Sequence, residues 1–161
     1  MKSISQFQLY LLDYQLNELI DSIKSMDFEL YKKVIWKDKW TVHEHLAHLG
    51  RYHEVFIERL NLILIGDNPE LPRYVAKLDA AFTSWTNLST NRIIEKTIIL
   101  RKELRQLIEK NMNSLKSCSG RHPHFGSMTF LEWLHFFLLH ESHHIYSIFR
   151  MIRSEASIKK N

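Results

Sequence analysis

The chain has 161 residues, 45% of them hydrophobic and 25% charged, which suits one globular domain over residues 1–161 with a full core and no covalent staples. Four glycines and three prolines leave few interruptions for strands and turns, and the single cysteine, Cys118, excludes an internal disulfide and fits a reducing compartment. The net charge of +4 is spread among mixed signs with no basic block, no stretch is apolar enough to span a membrane, and the first residues carry no leader-like apolar run, so a soluble cytoplasmic protein with no nucleic-acid or membrane partner is expected.

In residues 5–26, Leu9, Leu12, Leu16, Leu19, Ile23 and Met26 recur at alternating three- and four-residue steps, the pattern of a helix with one apolar seam. Residues 27–39 break the pattern, carry Trp36 and read as a connector. Thr41-Val42-His43-Glu44 is a capping box that starts a second helix. Its seam is Val42, Leu46, Leu49, His53, Phe56, Leu60 and Ile63, and Gly66-Asp67-Asn68-Pro69 ends it. Residues 67–88 hold Pro69, Pro72, Trp85 and Asn87. They read as a long crossover with a short helix near 74–82, forming either a lid or a wrap around the bundle.

Ser89 or Thr90 caps a third helix with seam residues Ile93, Thr97, Leu100, Leu104, Leu107 and Asn111. Arg101-Lys102-Glu103 and Arg105 with Glu109-Lys110 read as its solvated face. Arg121-His122-Pro123-His124-Phe125-Gly126 is a turn-rich loop. Thr129, with Glu132 three residues on, then caps a fourth helix carrying Leu131, Leu134, Leu138, Ile145, Ile148 and Ile152. Residues 154–161 are polar and expected to fray. Four long amphipathic segments without a strand pattern predict an all-α four-helix bundle, its connection order left open by spacing.

The fourth helix carries His140, Glu141, His143 and His144. His140 and His144 stand one helical turn apart, a spacing that lets two imidazoles reach one metal ion. Ten histidines placed at random in such a chain give about 0.6 pairs of this kind, so the spacing alone decides nothing. On a helical wheel Glu141 falls inside the apolar arc, His144 at its shoulder, His140 further round on the same side, and His143 nearly opposite. A carboxylate on that arc needs an explanation, either a salt bridge to an arginine or a functional role as the acceptor that orients an imidazole or as a general base. A third ligand must come from elsewhere. His45 and His48 share one flank of the second helix, and the wheel slightly favours His45. His53 lies in the seam, as a hydrogen-bonded core histidine would.

The string His140-Glu141-Ser142-His143-His144 also satisfies H-E-x-x-H. The longer metalloprotease form fails, because Ser147 stands where glycine is required and Arg150 where histidine is. Glu155 is the one downstream ligand candidate, and the match is read as coincidental.

Two longer stretches resemble the signature regions of the DinB/YfiT-like family of small bundle metalloproteins. One is Lys39-Trp40-Thr41-Val42-His43-Glu44-His45-Leu46-Ala47-His48-Leu49. The other runs from His122-Pro123-His124-Phe125-Gly126-Ser127-Met128-Thr129 through Glu132-Trp133-Leu134 to His140-Glu141-Ser142-His143-His144-Ile145. Arg51-Tyr52 and Pro72-Arg73-Tyr74 add to the likeness. The resemblance implies a four-helix bundle of unusual connection order, with the long crossover between the second and third helices. It further implies a metal site made by His48, His140 and His144, with Glu141 a supporting group or base.

In this family the metal varies, with zinc and nickel both occurring, many members are dimers, and characterised relatives include transferases and isomerases that use a low-molecular-weight thiol and some hydrolase-like proteins. The resemblance therefore implies a divalent metal, a small-molecule substrate, a possible homodimer, and thiol transfer as the leading chemistry. A non-catalytic metal-binding or stress-linked bundle and a hydrolase of a small amide or ester are the alternatives. Metal ligation needs neutral imidazoles, so loading should weaken as pH falls below the histidine range. Tyr52 and the 67–88 crossover are expected to line the entrance.

Overall fold

The computed structural model describes residues 4–24 and 26–158, with backbone alone at Phe28 and 155–158. Among these residues the elements are α1 (Gln6–Ile23), α2 (Val42–Ile65), α3 (Ala80–Thr86), α4 (Thr90–Leu115), β1 (Ser119–His122), β2 (Gly126–Thr129) and α5 (Phe130–Ile158). The predicted starts hold. Ser5 forms a capping box with Gln8, and Thr41 one with Glu44. Ser89 rather than Thr90 caps α4, accepting the Arg92 N–H. Thr129 and Glu132 exchange hydrogen bonds at the head of α5. Helix α5 runs on through Ile158 where fraying was expected from 154, and residues 159–161 lie outside the described ones.

The four long helices form a four-helix bundle. Both α1 and α2 pack mainly on α4 and α5, so the consecutive helices α1 and α2 face each other across the diagonal. Contacts set the directions. His43 meets Thr90 and His53 meets Arg101, so α2 and α4 run parallel. Gln8 donates to the Leu131 carbonyl and Gln15 to that of Leu138, so α1 and α5 are parallel too. His45 meets His144, and Phe56 stacks on Phe137, so α2 and α5 are antiparallel. Parallel neighbours cannot be joined by a tight turn, and this is why the 67–88 segment must travel back along the bundle. Its helix, α3, lies later than expected, at 80–86, because Asp79 supplies the cap by accepting the Ala81 N–H at 3.0 Å.

The turn-rich loop is a β-hairpin, which the sequence reading missed. Ser119 pairs with Thr129 and His122 with Gly126, and Gly126 turns the chain at φ +73°. Strands of four residues are too short to show apolar alternation. The crossover joins their edge: Arg121 donates its N–H to Pro69 and its carbonyl accepts from Leu71. Trp133 Nε1 donates to the Gly120 carbonyl at 3.0 Å and ties the hairpin to α5.

The core has two apolar ends. One holds Val55, Phe56, Leu60, Leu104, Ile108, Phe130, Trp133 and Phe137, and the other Leu16, Leu19, Ile23, Val42, Leu46, Leu49, Ile93 and Ile148. A buried polar layer separates them at one level of all four helices: Gln15, His53, Arg101 and Glu141. The seam of α4 thus runs through Arg101 and Ile108, with Leu100 and Leu107 only partly buried, and Arg101 is not on the solvated face where the sequence put it. Among the described residues no helix is long and apolar enough to cross a membrane.

Candidate metal centre

Because α2 and α5 run antiparallel, His48 arrives opposite His140 and His144. One ring nitrogen from each of the three lies within 4.8 Å of the others. His140 Nε2 is 3.1 Å from His48 Nε2 and 3.2 Å from His144 Nε2. A ring nitrogen has either one N–H or one lone pair. Without a metal, His140 Nε2 would have to share its single lone pair or proton between both neighbours, whereas a cation accepts all three lone pairs at once. The donor set, three imidazoles on two rigid helices, fits a divalent metal and leaves positions for water or substrate.

The surroundings keep these imidazoles neutral, as ligation requires. Burial first, then His140 and His45, lowers the pKa of His48 to about 3. Burial, His143 and Arg59 lower that of His140 to about 4. Burial and the four surrounding imidazoles push His144 further down. Aromatic rings wall the cluster: the Trp40 ring centre is 4.8 Å from that of His48 and 5.8 Å from that of His144, and Tyr52 is 4.0 Å from His140.

His45 faces His144 rather than the shared centre. Its Nδ1 is 2.8 Å from His144 Nδ1. With His144 Nε2 turned to the centre, His144 Nδ1 carries the proton and donates it to His45, fixing the ring. The wheel slightly favoured His45, whereas in the fold it is His48, the residue implied by the resemblance, that converges with His140 and His144. Nothing in one-dimensional spacing distinguishes a ligand from the residue that orients it.

Glu141 is 1% exposed and ion-paired with Arg101 Nη2. Arg101 also donates to His53 Nε2 at 3.0 Å and to the Leu12 carbonyl at 3.2 Å. Among the described residues no hydrogen bond joins Glu141 to His48, His140 or His144, so of the two accounts of this carboxylate the arginine partner is the one observed. His53 is the expected core histidine, its Nδ1 donating to the Leu49 carbonyl at 2.7 Å. His143 is exposed, and the Glu155 side chain lies outside the described ones.

Two clefts reach the cluster. One of about 530 Å³ is lined by His48 and His140 together with Tyr52, Arg59, Tyr74 and His122. As expected, Tyr52 and the crossover border it. The other, of about 630 Å³, opens on His45 and His144 between Trp36, Trp40 and Arg150. A larger apolar cleft of about 890 Å³ between α1, the hairpin and α5 touches none of the three histidines.

Comparison with curated proteins finds no match. Among solved structures the chain is similar to YfiT from Bacillus subtilis, described as a probable metal-dependent hydrolase with an unusual four-helix bundle topology. The TM-score is 0.77 at 19% identity, over 97% of this chain and 92% of that one, so the likeness is one of fold. The family model described as the DinB superfamily matches residues 11–148, and the chain belongs to that superfamily.

Proposed function

We propose that this protein is a metal-dependent hydrolase of a small molecule, with His48, His140 and His144 as the protein ligands. The observation that carries the reading is the convergence of three buried imidazole nitrogens within 4.8 Å. The same fold in a protein described as a probable metal-dependent hydrolase supports it. When bound, a divalent metal, zinc or nickel, supplies Lewis acidity toward water and toward a carbonyl or phosphoryl oxygen. The chain's own residues do the rest. His45 holds the His144 ring, the Trp40 and Tyr52 rings exclude bulk water, and the cleft beside His48 and His140 admits the substrate. Glu141, committed to Arg101, is a structural anchor in this reading and not the base.

Thiol transfer, the chemistry that led from the sequence, has no support in these observations, and hydrolysis replaces it. A homodimer and a cytoplasmic location are further parts of the proposal. Elemental analysis of unsupplemented protein, joined to a panel of small esters and amides with and without a thiol, tests the reading. Close to one metal per chain and thiol-independent turnover are expected. Less than about a tenth of a metal per chain in neutral chelator-free buffer would sink it.

A further inference from the structure

Arg59 is a buried cation with no counter-ion among the described residues: it is 5% exposed, and no carboxylate there pairs with it. Asp79 and Glu58, which border the neighbouring cleft with it, are held by Arg51 at 2.7 and 3.2 Å. A buried charge is costly unless something of opposite sign meets it. Two contacts fix the guanidinium in place, one to Tyr52 Oη at 3.0 Å and one to the Pro72 carbonyl at 2.7 Å, and the Trp133 ring lies 5.1 Å beneath it. Those two bonds use two of its five N–H donors and leave the others free.

The cleft that Arg59 enters is the one bordered by His48 and His140. Its remaining ionisable lining is Arg73, His122, His124 and two tyrosines, with no aspartate or glutamate. His122 is buried, and its Nδ1 accepts the N–H groups of His124 and Phe125 at 3.1 and 3.2 Å, so its Nε2 carries the proton and can only donate. The distance from this donor set to the metal-ligand cluster is one tyrosine. Tyr52 receives the Arg59 N–H through its hydroxyl, and its ring lies 4.0 Å from that of His140.

We propose that this cleft is an oxyanion subsite: Arg59, with His122 Nε2 and Arg73, binds a carboxylate or phosphate group carried by the substrate, leaving the bond to be cleaved toward His48 and His140. This rests on the hydrolase reading for the word substrate, and the anion site itself stands without it. A planar, pre-fixed guanidinium is the side chain best shaped for bidentate oxyanion binding. It also gives a reason for the cation's burial.

The test is calorimetric titration of chelator-treated protein with inorganic phosphate and, separately, with succinate. Removing metal keeps an anion from reporting on the three histidines instead. Saturable binding of at least one probe is expected, weakened about tenfold or more in R59Q and severalfold in R73Q, while the metal uptake of both variants stays that of the parent. Which probe binds more tightly identifies phosphate or carboxylate as the preferred group. If R59Q does not fold, the exposed R73Q carries the test alone, and unchanged affinity there overturns the proposal. No saturable binding of either anion to the parent overturns it, as does binding that needs metal and is indifferent to both substitutions. A chain that takes up no metal yet binds the anion through Arg59 would refute the hydrolase reading and leave this one standing.

Discussion

Arg101 of α4 and Glu141 of α5 form an ion pair at the centre of the bundle, with 6% and 1% of their surfaces exposed. Taking both charges out of water is expensive, and the pair persists because Arg101 also reaches His53 and the Leu12 carbonyl. Glu141→Ala leaves the guanidinium buried without a counter-ion, and a loss of about 3–5 kcal/mol in urea unfolding is expected. Exchanging both, as R101M with E141L, should recover most of that loss. Metal stoichiometry should be unchanged in the double variant. A double variant that is stable but takes up no metal would return Glu141 to the metal site.

The three proposed ligands and their supporter should separate by phenotype. H48A, H140A and H144A each remove a lone pair from the centre, and each should abolish stoichiometric zinc or nickel uptake while circular dichroism remains helical. H45A removes only the acceptor for His144 Nδ1, so affinity should fall about 10–100-fold without loss of the site. Competition against a chromogenic chelator distinguishes these outcomes. Equal losses for His45 and His48 would make His45 a ligand in its own right.

Much of this site was legible before any coordinates, and the parts that were not share a cause. The α2 seam and the Thr41 and Thr129 caps are local, and they appear at the predicted residues, whereas the α4 seam is shifted onto Arg101 and Ile108. Parallel α2 and α4 are not local: spacing left the connection order open, and the resemblance alone implied it. His45 and His48 lie on one flank, and only the position of α5 decides which of them faces His140. Arg101 was misplaced because a hydropathy seam assigns any arginine to solvent. The contrary signal lay on another helix, in Glu141 on an apolar arc, since a carboxylate in a core demands a cation nearby. Arg59 had no signal of this kind, because no carboxylate pairs with it among the described residues.

Acid should destabilise the metal-stripped protein well above the carboxylate range. An unfolded imidazole titrates near 6.5. In the folded chain burial and neighbouring imidazoles hold His45 and His140 at about 4 and His48 at about 3. Between these values the unfolded chain binds more protons, so stability is complete above about pH 6.5 and is lost as pH falls toward 4. The melting temperature of chelator-treated protein should be level from pH 7 to 8 and decline through that window. A variant lacking two of these imidazoles, H45A/H48A, should show a shallower decline. An equal slope in parent and variant would place the titration elsewhere.

Gly50 tests how closely α2 must approach its neighbours for the histidines to meet. It lies two residues beyond His48, and a methyl group there would run into the Trp85 ring and stand 2.7 Å from Thr97 Oγ1. Two effects oppose each other in Gly50→Ala. Helix propensity favours alanine by about 1 kcal/mol, and overpacking costs about 1–3 kcal/mol. The ring cannot easily give way: Trp85 is 3% exposed, its Nε1 donates to Glu54 at 2.9 Å, and Lys96 Nζ sits 4.1 Å from the ring centre. Overpacking should therefore win, with a net loss of about 1–2 kcal/mol in urea unfolding and weaker metal uptake as α2 is displaced. In a Trp85→Leu background the obstacle is gone and propensity should prevail, making the same substitution neutral or stabilising. The coupling between the two positions, read from the double-mutant cycle, is then the measure of the close approach. Additive effects would show that α2 does not depend on Trp85 for its position.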